Sequence, residues 1–399
     1  MFSLFTSVCV LSLTLSNVIM AATASDDLQF TKASNSFATD LYQKTIEGKN
    51  GNVIISPLSI QSALTLAMFG ATGSTRQEML TSLKYPADYT NQAISQNFET
   101  FTEKVKSTNG LKIANKVYVM KKYSVKKSFN DVAMKSFASE AQSLDFAENV
   151  QSAATINGWV EDHTNNKIKD LVKPDTLDSD TRMVLVNAIY FKGFWEHQFK
   201  PSQTFKAPFY LNDQDTANVD FMKIKEHFKY GMFEDLDATA IDLPYKDSDI
   251  SMLIILPNSR TGLPALEQKL NTIDLASLTQ KMYKQEVRVE LPKFKVEFEI
   301  NLNEPLEKMG MERMFSNAAE FNDLLEENDP LKVSAVVHKA FIEVNEEGAE
   351  AAAATGVLFA AFSMPIIMDF KANHPFFYCL VNNEMKSLLF AGRIVEFKN

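Results

Sequence analysis

Between Ser56 and Phe69 the chain reads Ser-Pro-Leu-Ser-Ile-Gln-Ser-Ala-Leu-Thr-Leu-Ala-Met-Phe. Ser56 stands at a capping position and Pro57 falls in the first turn, which together mark a helix start. The helix that follows, Ile60 to Phe69, is apolar on nearly every side. Such a helix has no face to offer to water, so it belongs at the centre of the molecule with a sheet covering it. Everything around it must be arranged to bury it.

The neighbouring segments suit that role. Val53-Ile54-Ile55 is a short buried strand, reached through a helical stretch around Asn35 to Tyr42 that Gly48 to Asn52 interrupts. A polar helix is expected over Thr75 to Leu83. Leu111 to Val119 and Met183 to Tyr190 are strands, the second so uniformly apolar that both its faces should be covered. Ala240 to Leu243 and Ile250 to Leu256 flank Pro244 to Asp249 in a hairpin-like arrangement. Val287 to Leu291 and Phe294 to Phe298 read as a further strand pair around Pro292, and Leu302 to Met309 as helix. Helices gather early and strands late, with no internal repeat and no Pro/Gly-rich linker. The expected class is α+β, in one large domain over residues 25–399.

The N-terminus has a different character. Its first two dozen residues carry no charged side chain, an apolar run covers Phe5 to Leu15, and small residues follow at Ala21, Ala22 and Ala24. This is the pattern of a secretory signal peptide over residues 1–24, and it places the chain outside the cell. The remaining apolar segments are too short to span a bilayer, so no membrane association is expected. Forty Lys and Arg stand against fifty Asp and Glu, a net charge of -10. That balance repels a phosphate backbone and argues against nucleic-acid binding. Of the two cysteines, Cys9 lies within the leader, leaving Cys379 as a buried small apolar residue. No G-x-S-x-G, phosphate-binding loop, C-x-x-C or H-E-x-x-H spacing occurs, so enzymatic activity, a metal and a cofactor are not expected.

One stretch breaks the alternation of elements. Gly348 to Pro365 reads Gly-Ala-Glu-Ala-Ala-Ala-Ala-Thr-Gly-Val-Leu-Phe-Ala-Ala-Phe-Ser-Met-Pro, after a strand at Ala340 to Val344 and before strands from Phe370 onward. Propensity alone would make Glu346 to Ala354 a short helix. A loop of this length inside a compact domain is usually functional or disordered.

Val344-Asn345-Glu346-Glu347-Gly348-Ala349-Glu350-Ala351-Ala352-Ala353-Ala354-Thr355 resembles the hinge of the serpins, the serine protease inhibitor family. The resemblance extends over residues 28–399. It includes Asn52 to Leu80, the central stretch Asn187-Ala188-Ile189-Tyr190-Phe191-Lys192-Gly193-Phe194-Trp195, and the downstream signature Phe370 to Tyr378. The chain is most similar to insect members. The resemblance implies three β-sheets, about nine helices and an exposed reactive loop over about residues 346–366. It implies a mechanism too: a protease cleaves the loop, which inserts as a new strand in the largest sheet and carries the acylated enzyme with it. A metastable native state drives the step.

The loop's own chemistry fits insertion. In an inserted strand alternate side chains face the core. Ala349, Ala351, Ala353, Thr355, Val357 and Phe359 form one row without charge, whereas Gly348, Glu350, Ala352, Ala354, Gly356 and Leu358 form the other, with its one charge at Glu350. A register slip by one residue would bury that carboxylate. In inhibitory relatives the primary specificity residue stands fourteen places beyond the hinge glycine, here Phe362 (348 + 14), and counting eight back from Phe370 gives Phe362 again. The reactive bond is therefore expected at Phe362–Ser363, and an aromatic there suits a chymotrypsin-type pocket.

By the same resemblance Ser56, Ser59, Asn187 and His338 form a polar cluster beneath the opening of the main sheet, and Trp195 lies near the point of first insertion. The expected partner is a serine protease of chymotrypsin type, held covalently by a monomeric inhibitor. Three alternatives stay open: a non-inhibitory carrier, storage protein or chaperone, elastase-like cleavage after Ala360 or Ala361, and regulation by a sulfated glycosaminoglycan on Lys121, Lys122, Lys126 and Lys127.

Overall fold

The computed structural model describes residues 27–327, 329–347 and 367–397. Helix α1 covers residues 27–46, beginning well before Asn35. After β1 (Val53–Ile55) comes α2 (Pro57–Gly70), in which every residue but Phe69 is buried. Ser56 holds the capping position with extended backbone, but its side chain caps nothing. Its hydroxyl instead donates to the Leu389 carbonyl at 2.6 Å, tying the start of the helix to a strand from the end of the chain.

Helices α3 (Gly73–Ser82), α4 (Asn91–Ser107), α5 (Lys127–Phe137) and α6 (Asn149–His163) alternate with β2 (Leu111–Met120), β3 (Ala141–Leu144) and β4 (Met183–Phe191). Strands β5 (Phe205–Tyr210), β6 (Thr216–Phe233), β7 (Ala238–Pro244) and β8 (Ile250–Pro257) follow, then α7 (Leu263–Glu267), β9 (Tyr283–Pro292), β10 (Phe294–Asn301), α8 (Asn303–Lys308) and β11 (Val333–Val344). The chain closes with β12 (Met368–Lys371), β13 (Phe376–Asn382) and β14 (Ser387–Ile394). The described residues thus hold eight α-helices, near the nine expected.

Their strands form two hydrogen-bonded networks where three sheets were expected. One has nine strands in the order β1-β14-β13-β8-β7-β6-β9-β12 with β5 beside β6, and the other has five, β10-β11-β4-β2-β3. The 18-residue β6 explains the difference, since it pairs with β9 over Phe221 to Tyr230 and with β7 over Lys229 to Phe233. It joins what would otherwise be two sheets. A second expectation is corrected at Pro292. Strands β9 and β10 do not pair with each other but lie in different sheets. Only Lys293 separates them, and a single residue cannot reverse a chain into a hairpin. The chain crosses from one sheet to the other there.

Helix α2 packs on β14 of the larger network and on β2 and β4 of the smaller. The apolar helix is thus covered from both sides, and β4, buried along its whole length, is the middle strand of the five.

Candidate functional site

Strand β11 runs directly into the segment singled out above, so the sheet that holds β11 positions the site. That sheet is the five-stranded one, and not the larger of the two networks. Residues Gly348 to Ile366, including Ala349, Glu350, Ala351, Ala352, Ala353, Ala354, Thr355, Ala360, Ala361, Phe362 and Ser363, lie outside the described residues. The anchoring end, Asn345 to Glu347, lies within them and is not helical.

Strands β11 and β4 pair in parallel, from Val333 beside Met183 to Ile342 beside Phe191. Its outer neighbours, β10 on β11 and β2 on β4, are antiparallel. At the β4–β11 seam two neighbours run the same way, as they also do at the β2–β3 edge of this sheet, and parallel pairing is slightly the weaker kind.

A polar ladder crosses the seam at mid-height. His338 on β11 stands opposite Asn187 on β4, and Asn187 stands opposite Asn115 on β2. His338 Nδ1 donates to Asn187 Oδ1 at 2.5 Å, and its Nε2 accepts the Ser56 backbone N–H at 3.3 Å. Asn187 Nδ2 donates to Ser59 Oγ at 2.5 Å and to Asn115 Oδ1, to which Ser59 also donates at 3.4 Å. All five residues are buried. Burial strips water from the imidazole and pushes the His338 pKa down to about 3. The ring is thus neutral at neutral pH, and only a neutral ring can accept from Ser56 and donate to Asn187 together. The four residues expected to cluster do so.

Asn115 was missed. Its signal is a lone amide within the apolar run Leu111 to Val119, where a buried polar group needs a partner.

At the upper end of the seam the strands are fastened to the anchor. Trp195 is buried, stacks on Tyr245 with ring centroids 4.4 Å apart, and donates from Nε1 to the Asn345 carbonyl at 2.8 Å. Its backbone N–H reaches the Glu347 carbonyl at 3.3 Å. Glu347 pairs with Lys192 at 2.7 Å, and this bond raises the Lys192 pKa. Glu346 is nearly buried, and burial alone would raise its pKa. Hydrogen bonds from Lys293 at 2.8 Å and Thr204 at 2.7 Å outweigh that and hold it below the ordinary range.

The four lysines considered for a polyanion are engaged separately. Lys126 donates to the Asn322 carbonyl at 2.7 Å, and Lys127 pairs with Asp131 at 2.8 Å on α5. Lys121 and Lys122 instead line grooves at the far end of the sheet. Cys379 is a free thiol buried between strands, its pKa raised chiefly by burial. His374 contacts the Pro257 carbonyl at 2.7 Å, a bond between the end of β8 and the loop that leads into its neighbour β13.

A family model described as serpin, serine protease inhibitor, matches residues 32–397. The chain belongs to the serpin family. Among its relatives, antichymotrypsin-2 of Bombyx mori is 39% identical over 354 residues, 87% of this chain and 93% of that protein. The leukocyte elastase inhibitor of Sus scrofa is 38% identical over 375 residues, 92% of this chain and 99% of that one. Among solved structures, a cleaved Serpin 42Da is 42% identical with a TM-score of 0.84, covering 93% of this chain and 99% of that chain. This serpin's seam and anchor are thus set in the family's fold.

Proposed function

We propose that this serpin is a secreted inhibitor of chymotrypsin-like serine proteases, cleaved at Phe362–Ser363 and trapping its target by inserting the cleaved loop between β4 and β11. The observation that carries the reading is the parallel seam fed directly by the segment leaving β11. A chain that turns back after Glu347 runs antiparallel to β11 and, because β4 is parallel to β11, antiparallel to β4 as well. One parallel seam is exchanged for two antiparallel ones, which pair more favourably. The uncharged row from Ala349 to Phe359 suits a face buried against the sheet's interior. The fourteen residue steps from Gly348 to Phe362 would span about 46 Å as strand, against roughly 30 Å of seam between Ile342 and Val333. The acyl-enzyme would be carried the full length of the sheet.

Chemistry at the bond balances as an interrupted hydrolysis. The protease serine attacks the Phe362 carbonyl, the Phe362–Ser363 bond breaks with the new amine protonated at Ser363, and the acyl group stays on the protease. Insertion before water arrives leaves the ester intact. An aromatic Phe362 points to a chymotrypsin-type pocket, and the absence of Lys and Arg from Val357 to Met368 argues against trypsin. Secretion is supported by the uncharged apolar stretch ahead of Ala24.

Incubation with chymotrypsin, elastase and trypsin, read on denaturing gels and by mass spectrometry, tests the reading. The expected result is a complex that survives denaturation with chymotrypsin, and a released peptide starting at Ser363. A peptide starting at Ala361 or Phe362 and a complex with elastase would move the bond. Clean cleavage without any complex would make the chain a substrate, as in a non-inhibitory member.

A further inference from the structure

The connection from α6 to β4, residues 164–182, has no α-helix or strand of its own and crosses the face of the five-stranded sheet. Its Leu171 and Leu177 enclose a cavity of about 230 Å³ together with Val184 on β4 and Ala335 and Val337 on β11. The connection therefore lies over the seam as a strap, facing both of the strands that insertion would part. Asn157 on α6 grips it, accepting from the Val172 N–H and donating to the Val172 carbonyl, both at 2.9 Å.

Lys339 ties the strap to the other side. It stands one place past His338 on β11 and is buried. A buried ammonium needs its donors matched. Its Nζ has three acceptors, Glu297 at 3.0 Å, Glu299 at 3.3 Å and the Lys169 carbonyl at 2.8 Å. Both glutamates are on β10, which pairs with β11 from Phe294 to Asn301. Parting β11 from β4 would carry β10 along, so the two ion pairs would travel with the lysine. The Lys169 carbonyl would stay behind, because it belongs to the strap that α6 holds and that runs into β4. Of the three bonds, this is the one that spans the seam.

Lys116 provides the contrast. It lies on the same sheet face, buried on β2, where it pairs with Glu140 at 3.1 Å and sits 5.0 Å from the centre of the Trp159 ring on α6. All these partners are on the β4 side, so Lys116 holds α6 down without crossing the seam.

We propose that Lys339 is a positioning residue for loop entry, a latch that fastens the strap across the closed seam through Lys169. Breaking that bond leaves a buried donor short of an acceptor until water or an entering strand supplies one, which adds to the barrier against parting. The glutamates are partly exposed and can be solvated where they are, whereas the lysine cannot. The proposal deepens the insertion reading above and rests on it, but opening of the seam can be read without any protease.

The experiment follows entry of a fluorescein-labelled synthetic peptide copying residues 349–362 into the intact protein by anisotropy, alongside amide hydrogen exchange. Lys339→Met keeps the stem but has no donor. It should raise the entry rate about fivefold, the worth of one hydrogen bond in a barrier. Exchange of the strap amides over residues 167–173 should quicken about threefold. Lys339→Arg keeps a donor and the charge, and should stay within about twofold of the unmodified chain in both measurements. Lys116→Met should leave peptide entry within about twofold, which separates a latch from general loosening of the sheet. Lys339→Gln, too short to reach Lys169, carries the same expectation as Lys339→Met should that variant not fold. Equal acceleration by Lys339→Met and Lys116→Met, or unchanged entry and strap exchange in Lys339→Met, would overturn the proposal. A peptide that entered none of these proteins would sink the insertion reading, and strap exchange would then decide the latch. Failure to trap any protease would count only against the inhibitory reading.

Discussion

His338 shows how one buried side chain can govern the whole seam. Its pKa of about 3, set by burial, lies below the ordinary value near 6.5, so the unfolded chain binds the proton first as pH falls. The stability this imidazole contributes is complete above about pH 6.5 and is lost progressively from there down to about pH 3. The slope is at most about 1.4 kcal/mol per pH unit for one proton. Thermal denaturation at a series of pH values should show this acid loss, and His338→Gln, which cannot titrate, should flatten it. A second prediction concerns the amides beside it. Asn187→Ala leaves Ser59, Asn115 and His338 each short of a partner, at a cost of about 2–3 kcal/mol. Urea denaturation should show that loss, with faster hydrogen exchange in β11 as its local sign.

Among the elements, the end of β4 carries the tightest steric demand. Gly110 has φ +78, and a Cβ there would lie 2.0 Å from the Lys192 carbonyl, just beyond β4. Left-handed backbone and that clash act together, so Gly110→Ala must displace the Lys192 segment that also holds Glu347. The variant should fold less stably by more than about 2 kcal/mol and expose Trp195, a change that indole fluorescence would report. The clasp of Glu346 by Lys293 is milder, since the lysine is about one-third exposed. Lys293→Ala should cost no more than about 1 kcal/mol in global stability. Its clearer effect should be local, as quicker exchange of the Trp195 amide that bonds to Glu347.

For the molecule as a whole, metastability is the property to measure. If the loop fills the seam after cleavage, the cleaved chain gains two antiparallel interfaces and should melt well above the intact one in a calorimetric scan. Ala353→Arg places a charge in the inward-facing row of that inserted strand. It should leave the intact protein's melting temperature within a few degrees. After cleavage it should melt little higher than before, and its yield of covalent complex should fall at least tenfold. An Ala353→Arg protein that still trapped its target fully would show that the row does not enter the sheet.

Much of this protein was legible before folding because local chemistry repeats along the chain. The apolar run from Ile60 to Phe69 could only be a central helix, Met183 to Tyr190 could only be a strand covered on both faces, and the segregated charge at Glu350 suits the inserted strand proposed above. Ser56, Ser59, Asn187 and His338 were legible through motifs rather than through spacing, since they come from three elements far apart in sequence. What spacing does not carry is which strands become neighbours. Tertiary packing alone decided that β9 and β10 part company at Lys293, that β6 joins two sheets, and that Asn115 completes the ladder. It also brought Lys122 to Arg182 and Lys332, residues 60 and 210 positions away. The physical reason is common to all of these. A side chain's period is set within its own element, whereas its partner is set by register across a sheet, and register exists only once the strands have met.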